Sequence, residues 1–134
     1  MIRRYFVAML LAGALAGCGR DGSAASLNEP IQLAPGQSAV FKADKLEVTF
    51  VEAGTDSRCP TDVTCFWQGT VAVLLAIRSN GKVSQHETDA STVVAVDSYV
   101  VDVLDVLPAR GPQSHRIAPA DYRVTLKVTR SRSQ

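Results

Sequence analysis

The sequence predicts an all-β body, a single antiparallel β-sandwich or small barrel of six to seven strands. Three observations carry this. Apolar residues alternate with polar ones at a period of two in several short runs, the pattern of strands with one buried face. Asn80-Gly81 separates two such runs, the strongest short-range signal for a hairpin. No segment of the body has the apolar period of a helix, and Gly, Pro and Asn punctuate it at short intervals.

The elements follow in chain order. Gln37 to Lys42 reads as a short strand near the start. Leu46, Val48 and Phe50 alternate with Glu47 and Thr49, so one face of this run is buried. Thr70 to Arg78 is apolar on both faces, which suits a central strand. Ser79-Asn80-Gly81 turns the chain, and Lys82 to Thr88 is the polar return strand near an edge. Tyr99 to Leu107 is rich in Val, with Asp102 and Asp105 inside it. Pro108 to Pro112 is a loop. Tyr122, Val124, Leu126 and Val128 alternate with Arg123, Thr125 and Lys127, giving a last strand with one wet face. The sandwich is expected over residues 30–130, with an architecture like that of an immunoglobulin domain.

The first residues are of another kind. Arg3 and Arg4 precede an apolar run from Tyr5 to Ala16, the length of a signal-peptide core and short for a membrane span. The run ends in Leu15-Ala16-Gly17-Cys18. This tetrapeptide resembles the lipobox of bacterial lipoproteins at every position. The resemblance implies a signal peptide over residues 1–17, cleavage before Cys18, diacylglycerol on its thiol and acylation of the new N-terminus. Two or three acyl chains anchor stably where one binds only marginally. The implied partner is thus the membrane, through lipid on Cys18. Gly19 follows the cysteine. In Gram-negative lipoproteins an aspartate there commonly retains the protein at the inner membrane, so the resemblance favours the outer membrane, facing the periplasm.

Removal of 17 residues from the 134-residue chain leaves 117. Two of the 14 basic residues leave with the peptide, so 12 face 13 acidic ones. A near-neutral body is not steered by net charge and lacks the basic surplus that nucleic acid requires. Gly19 to Glu29 is small and polar without apolar period, and reads with Cys18 as a flexible tether over residues 18–29.

Arg58-Cys59-Pro60-Thr61-Asp62-Val63-Thr64-Cys65-Phe66-Trp67-Gln68-Gly69 is the most distinctive segment of the body. With Cys18 lipidated, Cys59 and Cys65 are the remaining thiols, and export places them where disulfides form. A structural disulfide is the leading reading. A redox pair would want Cys-x-x-Cys, which is absent. Zinc would want four ligands, and the histidines, His86 and His115, stand alone in polar contexts. Copper carriage would want clustered Met and His, and both methionines precede Cys18. Trp67, the sole tryptophan, has two readings. Its ring covers the disulfide or caps one end of the core, or it is an exposed anchor for a partner. Arg58 and Asp62 read as a charge pair that holds the loop. The segment, as Asp56-Ser57-Arg58-Cys59-Pro60, Cys65, Trp67 and Gly69, resembles a group of small, uncharacterised secreted or lipid-anchored bacterial proteins. That group carries no activity to transfer. The short disulfide loop differs from the immunoglobulin disulfide, which joins strands distant in sequence.

No catalytic set is legible: no Gly-x-Ser-x-Gly, His-Glu-x-x-His, Walker loop or dinucleotide fingerprint. Asp102 and Asp105, three apart on a regular strand, point to opposite faces. No catalytic residue, metal or cofactor is therefore expected. The expected role is a non-catalytic, membrane-anchored binding or accessory module of the cell envelope, with Arg58, Pro60 and Trp67 as contacts for an envelope protein. A periplasmic inhibitor of a hydrolase and a small-molecule carrier are the alternatives.

Overall fold

The computed structural model describes residues 22–132. The signal peptide expected over residues 1–17 and the lipid site Cys18 lie outside them. Among the described residues nine strands form two sheets: β1 (Gly22–Ala24), β2 (Ile31–Leu33), β3 (Ser38–Phe41), β4 (Leu46–Asp56), β5 (Val71–Ser79), β6 (Lys82–Thr88), β7 (Val94–Val96), β8 (Tyr99–Leu107) and β9 (Arg123–Arg130). One sheet has the order β1-β3-β4-β5-β6 and the other β2-β9-β8-β7. They pack face to face as an open sandwich, not a closed barrel. Two short 3-10 turns, Lys42–Asp44 and Pro119–Asp121, are the helical pieces among the described residues.

Alternation chose the inward faces. Phe41, Val48, Phe50, Val73, Leu75 and Ile77 from one sheet meet Leu33, Val101, Val103, Val124, Leu126 and Val128 from the other, all buried. Each such side chain contributes about 1.5–3 kcal/mol on leaving water. The Asn80-Gly81 hairpin forms as expected. Both residues have positive φ, 49° and 82°, the geometry whose twist matches flanking strands. β6 lies at a sheet edge and carries Gln85 and Glu87 on its outer face, with Lys82 exposed at its start, which blunts pairing with other chains. β5 is interior, but the outer apolar side chains Ala72, Leu74 and Ala76 are only half-buried, because no third layer covers that sheet.

Several expectations are corrected. The tether expected over residues 18–29 is strand in part. Gly22–Ala24 pairs with Ser38–Val40, the Ala25 amide donates to the Val40 carbonyl, and Ala25 and Leu27 rest on the core. The backbone of β3 offers a free edge there, and edge pairing needs no apolar side chain. This β1–β3 pair is parallel, so the sandwich is not wholly antiparallel. β2 and β7 were not expected; three residues are too few for alternation to register. β4 continues past Phe50 through two register shifts, Phe50/Glu52 and Ala53/Asp56, that scramble its alternation. A bulge between Val103 and Asp105 also turns Asp105 to the same outer face as Asp102, while Val101, Val103 and Val106 stay inside. The opposite-face expectation for those aspartates fails because it assumed an unbroken pleat.

Candidate functional site

β4 and β5 form a long antiparallel pair whose connection, residues 57–70, projects beyond the sandwich as a finger. Its stem continues the ladder. The Ser57 amide donates to the Thr70 carbonyl at 2.8 Å, and the Cys59 amide to the Gln68 carbonyl at 2.9 Å. The Ser57 hydroxyl adds a bond to the Thr70 carbonyl at 2.9 Å and accepts from the Thr70 amide at 3.1 Å. Gly69 makes this closure possible. Its φ is +67°, and a Cβ there would lie 1.9 Å from the Ser57 carbonyl oxygen. No other residue type fits that space.

Above the stem, Cys59 and Cys65 are joined by a disulfide, their Cα atoms 5.9 Å apart. The pairing expected from the two cysteines therefore stands, and it closes the fingertip into a small ring with the half-buried Pro60 inside it. Two further bonds brace the finger against the β8–β9 loop: the Thr61 amide donates to the Gly111 carbonyl at 3.2 Å, and the Gln113 amide donates to Asp62 Oδ1 at 2.8 Å.

Arg58 is the keystone of the base rather than a free surface cation. Its Nε and Nη2 donate to the two carboxylate oxygens of Asp56 at 2.9 and 2.7 Å. Nη1 donates to the carbonyls of Val106 and Pro108 at 3.1 and 3.0 Å. Tyr122 Oη donates to Asp56 Oδ2 at 2.9 Å. The guanidinium is only 18% exposed and spends most of its five donors inside the protein. The Asp56 carboxyl is held below the usual carboxylate range, first by its hydrogen bonds from Arg58 and then, against the opposing effect of burial, by Tyr122. Burial and the Asp56 hydrogen bond push the Tyr122 phenol up. The expected Arg58–Asp62 pair does not form: Arg58 pairs with Asp56, and Asp62 serves the Gln113 amide.

Of the two readings of Trp67, the position of the residue excludes the covering one. Its ring is 83% exposed, and Phe66 beside it is 100% exposed. Neither covers the disulfide nor caps the core. Every residue from Thr61 to Gly69 is exposed. Pro60, Trp67 and Arg58 thus share one element, but only Trp67 of the three is displayed. Phe66 was missed at the sequence level. The signal was there, since two adjacent aromatics directly after the second cysteine of a short crosslinked ring have little core to reach.

Among the described residues, no three His, Cys, Asp or Glu side chains converge as a metal site. His86 Nε2 is engaged by the Ser84 hydroxyl at 2.8 Å. One surface depression, on the outer face of the five-stranded sheet, is lined by Glu47, Thr49, Ala76, Arg78 and Val83. In comparisons with known proteins, the chain matches no family model, no curated sequence and no solved structure.

Proposed function

We propose that this protein is a lipid-anchored, non-catalytic accessory module of the cell envelope, held by lipid on Cys18 and working through the tip of its finger. The observation that carries this reading is the display of Phe66 and Trp67 in water on a rigid, crosslinked loop. Exposing two large aromatic rings forgoes several kcal/mol of burial, at about 1.5–3 kcal/mol per large apolar side chain. Glycine, disulfide and buried Arg58 together hold the loop out instead of letting it fold onto the core. Loops fixed on rigid scaffolds are where contact residues are placed. The contact set moves accordingly, from Arg58 and Pro60 to Phe66 and Trp67, with Arg58 and Pro60 shaping the support.

The alternative of a hydrolase inhibitor rests on the same protruding finger, which has the form of a plug for a cleft. The carrier alternative draws no support from a sandwich interior filled by side chains.

The test has two parts. Labelled fatty acid is expected to enter the wild-type chain and not Cys18→Ser; equal labelling of both removes the anchor. A photo-crosslinking amino acid placed at Phe66 in cells is expected to give an envelope adduct, lipid or protein. The same group at Lys82, at the opposite end, is expected to give none. Equal yields at both positions would remove the finger as the working surface.

A further inference from the structure

We propose that the fingertip is a membrane-interface contact: Phe66 and Trp67 enter the headgroup region of the same bilayer that holds the Cys18 lipid. This rests on the lipid anchor proposed above. β1 runs from Gly22, beside Ser38, to Ala24, beside Val40. β3 in turn runs antiparallel to β4, with Ser38 opposite Thr49 and Phe41 opposite Leu46. Going backward along β1 from Ala24 to Gly22 therefore leads toward the Asp56 end of β4, which is the finger end.

Along the sheet the chain to Cys18 ends short of the finger. Thr49 pairs with Ala76 and Asp56 with Val71. Those five steps along β5 place the finger base about 17 Å beyond the level of Gly22, at ~3.3 Å per residue. Cys18 is four residues upstream of Gly22, a contour of at most about 14 Å. β1 is also an edge strand of its sheet. A body leaning on its β1 edge sets anchor and fingertip on one surface. An anchor at the Asn80-Gly81 end would have left the finger pointing away from the bilayer.

The chemistry of the tip selects lipid over protein. Val63-Thr64-Cys65-Phe66-Trp67-Gln68 contains no charged side chain, so its insertion desolvates no ion. The nearest acid, Asp62, already accepts from the Gln113 amide. Trp and other amphipathic rings favour the headgroup level of bilayers. A protein hot spot, by contrast, is ringed by neighbours that exclude water. Here the rings stand on a protruding knob whose neighbours are all exposed. Arg110, Arg116 and Arg123 at this end are matched by Asp62, Asp89, Asp105 and Asp121, so no basic surplus is present and attachment through the finger is aromatic rather than electrostatic.

Trp67 is the only tryptophan, so its fluorescence reports the tip alone. The lipidated protein is reconstituted into phosphatidylethanolamine–phosphatidylglycerol vesicles containing brominated acyl chains. Expected are a blue-shifted emission, protection from iodide, and quenching at a depth of about 5–10 Å below the headgroup boundary, where interfacial residues lie. Phe66→Ser is expected to reduce the quenching, and high salt to leave it unchanged. Protein that floats with the vesicles while Trp67 stays fully open to iodide overturns the proposal, as does quenching that vanishes at high salt. Shielding of Trp67 that requires solubilised envelope proteins also overturns it, in favour of a protein partner. If the chain does not float, the lipid reading has failed. The mature Cys18→Ser chain, held to nickel-chelating vesicles by an N-terminal histidine tag, then decides the finger separately. Quenching there supports the contact, and open Trp67 there overturns it.

Discussion

The two ends of the sandwich are closed by the same three side-chain types. At the finger end Asp56 accepts from Arg58 and from Tyr122. At the other end Asp44 accepts from Tyr99 Oη at 2.9 Å and from Arg130. In both, the carboxyl is pulled below its usual range and the phenol pushed up. The environments differ. Arg58 is 18% exposed, grips both carboxylate oxygens and adds two backbone carbonyls, whereas Arg130 is 64% exposed and touches one oxygen. The finger end also carries a disulfide, two bulges and a displayed aromatic pair. The opposite end turns tightly through Asn80-Gly81. The same ionic triad is therefore a clasp for a projecting element at one end, and at the other a tie between the sheltered Asp44 and Tyr99 whose arginine lies mostly in water. Burial and the number of bonded donors, not residue type, set its worth.

The largest effect on the finger end is expected at Gly69. Gly69→Ala forces a left-handed backbone at about 1–2 kcal/mol and sacrifices stem bonds at about 1 kcal/mol each, for a loss of roughly 3 kcal/mol. Urea unfolding measures it; a loss no larger than for Gly81→Ala, where a Cβ meets nothing within 4 Å, would mean the stem is not tight.

Next comes the clasp itself. Arg58→Ala leaves Asp56 with Tyr122 and strips two carbonyls, so about 2–3 kcal/mol is expected, in the range of hydrogen bonds to charged groups. Arg130→Ala is expected to change stability hardly at all. Equal effects would erase the contrast between the ends. The same clasp sets an acid limb. Because the folded carboxyl of Asp56 is depressed, its contribution is full above the unfolded value near 3.9 and is lost as pH falls through the lower folded value. Asp56→Asn should therefore flatten the stability profile below about pH 4 relative to wild type.

Cys59→Ser is expected to remove about 2 kcal/mol, the loop-closure contribution of a seven-residue ring. Alkylation followed by intact mass should find both thiols protected until reduction. Smallest of all, Trp67→Ala is expected to shift stability by no more than about 0.5 kcal/mol, as for a surface position. A loss of about 3–5 kcal/mol, the range for a core aromatic, would show that the ring packs after all.

Period-two alternation is a local property, and it was enough to locate the first half of β4 and β9 with their inward faces, whereas β3, β5, β6 and β8 were legible as strands from their composition and the turns beside them, without their inward faces. Asn80-Gly81 specified its hairpin for the same reason, since two consecutive positive φ values are written in two residue types. The pairing of Cys59 with Cys65 was legible because few thiols were left to choose from. Tertiary structure alone decided the rest. Gly22–Ala24 became a strand because β3 had an open edge to offer, which no residue of β1 announces. Both bulges of β4 break the alternation past Phe50, so the second half of that strand was not legible. Arg58 could be read as a contact or as a clasp until Val106, Pro108 and Tyr122, about 50 to 65 residues away, were brought to Asp56. Whether Trp67 lies in the core or in water turned on the length and direction of the finger. Those are set by Gly69 against Ser57, a contact between residues twelve apart that alternation does not encode.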